Sequence, residues 1–415
     1  MDFQLANGVN VHIIPTQQFK QTKVLVNFTT LQTRENAVVR NLLANLLVTS
    51  SEKYPTQTAL SRHLANLYGA AVSGYVTRIG HAHTLRLKAT FVSEHFAPHI
   101  LGQMITTLGE LIFHPLMVNN QFEPTTWQRQ QANLVATLKS WEDDKQFYSV
   151  RQLEQLYYQT GSVMEIPSSG TLDQAKAVTN EATVAAYHQM LNEDQVDIFV
   201  IGDVDADAAM ASLQQLPFQP RESHLPTTLF HYQPKEAFKN LVEHQPIQQA
   251  HLNLAYTFPV YFGELDYRAA IVMNGILGGT PYSKLFVNVR EKASLAYTAS
   301  SGLRAFSGHL LISAGIGADK VAEAEKLIQD QITAMQAGDF DETTVAKVKA
   351  GLINQYYANQ DDENYLLGRA LARTILRQAQ PTDYPTAIQA VTPAKIVELA
   401  QQLEPAARYF LEGEN

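Results

Sequence analysis

The chain has 415 residues, which at roughly 150 residues per domain allows two or three domains with full cores. Apolar residues make up 45% and charged residues 17%, a balance that excludes a disordered chain. The net charge of −9 argues against wrapping a nucleic-acid backbone. The absence of cysteine excludes a disulfide scaffold, a thiol nucleophile, a thiolate zinc finger and an iron–sulfur cluster.

The start, Met1-Asp2-Phe3-Gln4-Leu5, lacks the basic and apolar regions of a secretion signal. No apolar run approaches the ~20 residues that span a bilayer. The reading is a soluble, cytoplasmic protein with no membrane span. The turn pair Asn7-Gly8 precedes two strand-like runs, Val9 to Ile14 and Lys23 to Phe28. Val39, Leu42, Leu43, Leu46 and Leu47 recur at helical spacing and predict a helix from Glu35 to Val48. A second helix spans Thr56 to Tyr68, ended by Gly69. Ala71 to Val92 alternates at strand period. Helices follow at Ala97 to Phe113, Phe122 to Ser140 and Gln146 to Gln159, then a short buried strand at Gln195 to Ile201.

Five prolines, Pro217, Pro220, Pro226, Pro234 and Pro246, crowd residues 216–249, which predicts a linker without regular structure. Beyond it the order repeats. Strands are expected at His251 to Phe258, Ala296 to Leu303 and Gly308 to Ile316. Helices are expected at Leu265 to Leu277, Tyr282 to Glu291, Ala322 to Met335, Asp341 to Asn359 and Asn364 to Gln378. A shift of 218 aligns the halves: Thr125-Thr126 meets Thr343-Thr344, Ala132 meets Ala350, Leu134 meets Leu352, Asp143-Asp144 meets Asp361-Asp362, Arg151 meets Arg369 and Leu153 meets Leu371. Those eight identities over residues 125–154 exceed the about two that composition gives by chance. The expected fold is α+β: two homologous halves, 1–215 and 250–415, each a mainly antiparallel sheet packed on helices.

One stretch carries a resemblance. Leu277-Gly278-Gly279-Thr280-Pro281-Tyr282-Ser283-Lys284-Leu285-Phe286, then Val289-Arg290-Glu291-Lys292-Ala293-Ser294-Leu295-Ala296-Tyr297, resembles a segment of the insulinase-like zinc metallopeptidases. These are the inverzincins, which include pitrilysin and the mitochondrial processing peptidases. The repeat order extends the resemblance over nearly the whole chain. It implies a clam-shell arrangement of the two halves around a chamber, and it implies that Arg290 and Tyr297 bind substrate.

The first half departs from the family pattern. Its first long helix should carry HxxEH, two zinc-binding histidines one turn apart beside a glutamate general base. Here the positions read Asn41, Ala44 and Asn45. The third ligand, a glutamate on a later helix, falls at Thr137, and no acidic residue occurs between Pro124 and Trp141. An amide is a poor zinc ligand and takes no proton from water at neutral pH. The chain is therefore expected to bind no metal and to be inactive alone as a zinc peptidase.

Two functions fit. The chain is the non-metal subunit of a two-chain metallopeptidase, lending Arg290 and Tyr297 to a homologous partner that bears HxxEH and zinc and acts on peptides or unfolded polypeptide. Alternatively it is a scaffold or peptide-binding protein that keeps the fold. A homodimer is compatible with either, and an active enzyme with an unrelated site lacks any nucleophile–base signature.

Other clusters read as structural. Gly278-Gly279 before Lys284 lacks the phosphate-loop pattern and suits a tight turn. His81 with His83, and His95 with His99, have spacing without a full ligand set. Asp143-Asp144 and its echo suit an exposed turn between helices. Arg86 and Lys88 are too few for a nucleic-acid surface.

Overall fold

The computed structural model describes residues 1–158, 160–222, 225, 230–232, 237–377 and 383–413. Of the linker prolines, Pro226 and Pro234 lie outside the described residues, as does Gln378.

The first part of the chain forms strands β1 (Asp2–Ala6), β2 (Val9–Pro15) and β3 (Gln21–Leu31), helices α1 (Asn36–Leu47) and α2 (Gln57–Asn66), strands β4 (Ala71–Ile79) and β5 (Ala82–Val92), and helix α3 (Ile100–Phe113). A small hairpin, β6 (Met117–Val118) and β7 (Gln121–Phe122), leads into α4 (Pro124–Ser140) and α5 (Lys145–Tyr157). Then come α6 (Leu172–Ala177), α7 (Asn180–Glu193), β8 (Gln195–Gly202) and α8 (Ala206–Leu213). The second part contains β9 (Lys239–Gln245), β10 (Ala250–Thr257), α9 (Tyr267–Asn274), β11 (Ala296–Arg304), β12 (His309–Ile316), α10 (Val321–Ala337), α11 (Glu342–Asn359), α12 (Glu363–Ile375), α13 (Tyr384–Gln389), α14 (Pro393–Ala400) and β13 (Glu404–Gly413).

These elements build two compact units. One comprises Met1–Lys139, Ile166–Thr228 and Asp361–Leu376; the other comprises Ser140–Glu165, Leu229–Gln360 and Arg377–Asn415. The first unit's sheet runs β1-β2-β8-β3-β5-β4, and the second unit's runs β9-β13-β10-β12-β11. In both, a parallel pair, β2 with β8 and β9 with β13, is followed by antiparallel pairs only. The mixed α+β fold with helix-backed sheets is as expected, and the shared strand order is the repeat in three dimensions.

The units do not follow the continuous halves 1–215 and 250–415, because each takes one helix from the other. Helix α12 seals a face of the first sheet, with Leu367, Ala370, Leu371 and Ile375 against Leu25, Ala82, Phe199 and Ile201. Helix α5, its repeat counterpart, does the same in the second unit, where Leu153 and Tyr157 meet Ala255, Leu311, Ala407, Tyr409 and Leu411. The exchange explains why β3 is buried through eight consecutive residues instead of alternating: helices cover both its faces. The repeated acidic pairs start these two helices. Asp144 accepts from the Phe147 amide at 3.0 Å and Asp362 from the Asn364 amide at 2.8 Å, each as an N-cap.

Several expectations need correction. Residues 239–245, inside the stretch read as linker, form an edge strand, because no proline falls between Pro234 and Pro246. Helix α3 starts at Ile100, not Ala97, since Pro98 precedes a left-handed His99 (φ 65°). The helix read from Leu265 is α9 from Tyr267, continued by a wider π-helical turn, Gly275–Gly279. Gly278 and Gly279 make no tight turn. A Cβ on Gly278 would stand 2.5 Å from the Ser301 amide nitrogen, so this glycine lets the helix touch β11. The first unit solves the same contact from the strand side, where a Cβ on Gly74 of β4 would lie 2.0 Å from the Ala44 carbonyl oxygen.

Candidate functional site

In α1, nine of twelve residues are buried, which leaves Asn41 and Asn45 on the one partly open face. Their four-residue spacing stacks them one turn apart, the arrangement a two-histidine metal clamp uses. Here amides fill it with local bonds. Asn45 Nδ2 donates to the Asn41 carbonyl at 2.8 Å, and Asn41 Nδ2 donates to the Ser169 carbonyl at 3.1 Å. Ala44 is fully buried and brings no carboxylate. Thr137 stands on the exposed side of α4, whose buried side carries Trp127, Leu134 and Leu138. Among the described residues no group of three or more His, Asp or Glu could hold a metal ion. No helix among them is long and apolar enough to cross a membrane.

The histidine pairs are dispersed. His83 is fully buried, accepts from Arg40 Nε at 3.1 Å and donates to the Ser168 carbonyl at 2.8 Å. Burial, with the Arg40 charge beside it, holds its pKa down to about 3, so it is a neutral core residue. His95 and His99 lie ahead of α3. Arg86 is committed inside the sheet, to Asn27 Oδ1 at 2.7 Å and the Tyr75 hydroxyl at 3.1 Å.

The second unit holds the Arg–Tyr stretch. Arg290 sits near the end of a second π-helical segment, Leu285–Lys292, anchored by buried Leu285 and Val289. Helix geometry of this kind is rare and concentrates at functional sites. The chain then turns sharply, with Ser294 left-handed (φ 52°) and the Leu295 amide bonded back to the Val289 carbonyl at 3.2 Å. It enters β11 through a bulge. Ala296 pairs with Ile316 and Thr298 with Gly315, leaving Tyr297 as the extra residue. A bulge re-aims its side chain, and Tyr297 is 71% exposed rather than a core aromatic with a wet tip.

The turn therefore brings Arg290 and Tyr297 to one depression of about 480 Å³. Gly317, Asp319 and Lys320 line its other side. The sequence reading missed them, although the antiparallel pairing of Ala296 with Ile316 places the residues after β12 beside the start of β11. The lining carries two cations, Arg290 and Lys320, and two anions, Glu291 and Asp319. Arg290 lies 4.6 Å from the Phe286 ring centroid, and its Nε is 3.6 Å from Glu291 Oε1. That ion pair is long and solvent-exposed and worth at most about 1 kcal/mol, so the guanidinium keeps donors for another acceptor.

Comparison with known proteins fits this geometry. Residues 177–352 match the family model of the peptidase M16 inactive domain. The chain is 28% identical over 413 residues to the probable inactive metalloprotease YmfF of Bacillus subtilis, covering 98% of this chain and 96% of that one. It is similar to the crystal structure of a conserved protein from Enterococcus faecalis, with a TM-score of 0.95 and 37% identity over 100% of this chain and 98% of that one. The M16 inactive domain from Pseudomonas fluorescens shares the fold, with a TM-score of 0.80 and 17% identity over 100% and 98% of the two chains. Residues 177–352 thus form a peptidase M16 domain of the inactive type, in a chain homologous over nearly its whole length to a probable inactive metalloprotease.

Proposed function

We propose that this chain is the non-metal subunit of a two-chain zinc peptidase. One observation carries the reading: Arg290 and Tyr297, both exposed, line one depression, brought there by the turn at Ser294 and the bulge at Tyr297. In the assembly, Arg290 donates to a carbonyl of a bound peptide or unfolded segment, and Tyr297 donates its hydroxyl to the same region. The zinc and the general base belong to a homologous HxxEH subunit. Preorganised donors of this type contribute about 3–4 kcal/mol to the transition state. The division of the chain into two family-type halves, and work in the cytoplasm, are parts of the same proposal.

A second reading draws on the Phe286 and Glu291 contacts of Arg290: a scaffold or peptide-binding protein in which these side chains only pack. Affinity capture from native cell extract separates the two. Co-purification of a similar-sized HxxEH homologue in one-to-one ratio, with one zinc per pair, supports the subunit. Capture of unrelated assemblies alone favours the scaffold.

A further inference from the structure

The first unit holds a cavity of about 660 Å³ along α3. The loop before α2 and His63 of α2 form one side, and the end of α8 with Leu216 and Pro217 forms the other. Its volume is that of a small-molecule site. Ile105, Phe113, Leu216 and Pro217 supply an apolar lining. The wall hydroxyls are spent on their own helices: Thr106 donates to the Gly102 carbonyl at 2.9 Å, Thr107 to that of Gln103 at 2.9 Å, and Ser212 to that of Ala208 at 3.0 Å.

Three other polar groups gather toward the C-terminal end of α3. Tyr54, 8% exposed, stacks on His63 with ring centroids 4.5 Å apart, and Lys53 Nζ lies 5.6 Å from the Tyr54 centroid. Glu110 reaches the same loop and accepts from the Lys53 amide at 2.8 Å. The lining carries this one lysine and this one carboxylate. Yet the Lys53 ammonium and the Glu110 carboxylate form no ion pair, with each other or with any other described residue. Because Thr107 gives its proton to Gln103, its oxygen accepts from His63 Nε2–H at 2.9 Å. Burial and the Lys53 charge hold His63 below the ordinary histidine range, so it is neutral at pH 7 and its Nδ1 remains an acceptor. His114, one turn after Glu110, closes that end.

We propose that this cavity binds a free apolar α-amino acid as its zwitterion. Lys53 receives the α-carboxylate, Glu110 and His63 Nδ1 receive the α-ammonium, and the side chain enters the apolar lining toward Phe113 and Leu216. A simple anion would meet the Glu110 carboxylate and a simple cation the Lys53 ammonium; a zwitterion with an apolar body satisfies both charges and the lining. None of these residues lines the depression at Arg290 and Tyr297, so the site stands independently of the function proposed above.

Titration calorimetry of the full-length chain with L-phenylalanine is expected to give a Kd of about 1 mM or tighter. N-acetyl-L-phenylalanine lacks the ammonium and L-phenylalaninamide lacks the carboxylate. Each should bind about tenfold weaker or worse, the loss of one charge-assisted hydrogen bond. Lys53→Met, at an exposed position, should erase the difference between L-phenylalanine and its amide but keep the difference from the acetylated form. Glu110→Gln retains an acceptor for the Lys53 amide and should shrink the difference between L-phenylalanine and the acetylated form. Unchanged circular dichroism confirms that both variants fold. No binding of L-phenylalanine at about 10 mM, analogues that bind as tightly as L-phenylalanine, or variants that weaken all three ligands equally overturn the proposal.

Discussion

The exchanged helix α12 is held by a contact whose removal has a calculable cost. Lys23 Nζ on β3 lies 2.6 Å from Glu363 Oε2, with only 10% and 5% of the two side chains exposed. Asn364 Oδ1 accepts from the same ammonium at 3.3 Å, while Glu363 Oε1 is buried without a partner. At an effective dielectric of ~20, contact at this distance gives about 6 kcal/mol of attraction, most of which offsets the desolvation of two charges. Glu363→Ala leaves a buried ammonium with one neutral acceptor. It also removes an acidic residue from the first turn of α12, worth about 0.3–1 kcal/mol. The expected loss is about 3–5 kcal/mol. The double variant Lys23→Met with Glu363→Met removes both charges and fills their space, so it should recover most of that loss. Urea unfolding followed by circular dichroism measures the totals. Amide exchange along α12 and β8 shows whether the loosening is local. A Glu363→Ala loss under 1 kcal/mol, or a double variant as unstable as the single one, refutes the reasoning.

His83 and His309 are both buried and held neutral, with pKa values down to about 3; for His309 burial is the main cause and the Arg304 charge adds to it. The unfolded chain protonates both below pH 6.5 and the folded chain does not, so stability falls with acidification between pH 6.5 and 3. The slope from each is up to about 1.4 kcal/mol per pH unit. Replacing His309 with Phe should flatten the acid limb of the urea midpoint against pH, and an unaltered limb would contradict the assignment. Gly74→Ala forces a Cβ into the Ala44 carbonyl and should cost about 1–3 kcal/mol or more, measured as a lower urea midpoint. A silent Gly74→Ala would mean α1 can slide off β4. Asn41→His with Asn45→His restores two ligands on one helix face but no third. Titration calorimetry should therefore find zinc binding far weaker than a three-ligand family site, and tight binding would show an acidic ligand close by that Thr137 does not represent.

The repeat was the most legible feature. Shifted by 218, α5 lands on α12 with coincident ends, and the paired aspartates turned out to be the N-caps of both helices. Hydrophobic patterning located α1, β3, β5, β10 and β12, because those elements are largely buried. Elements with little apolar signal were missed. Helix α7 buries only Thr183, Tyr187 and Met190, and β1 is a half-exposed edge strand. The helix exchange was invisible because it depends on which sheet α5 and α12 pack against, which local sequence does not encode. Motif reading singled out Arg290 and Tyr297, which line one depression, and the positions Asn41, Ala44, Asn45 and Thr137. It did not find the bulge that exposes Tyr297, which arises from pairing across two strands.

The most direct test of the account is cleavage by the assembled pair. This chain is combined with its HxxEH homologue, and hydrolysis of an unstructured peptide is followed with the natural chain, Arg290→Ala and Tyr297→Phe. The account predicts that the pair cleaves, that either subunit alone does not, and that Arg290→Ala lowers kcat by about 10²–10³-fold with assembly intact. Cleavage by the HxxEH subunit alone at the full rate, or by the pair undiminished with Arg290→Ala, contradicts it.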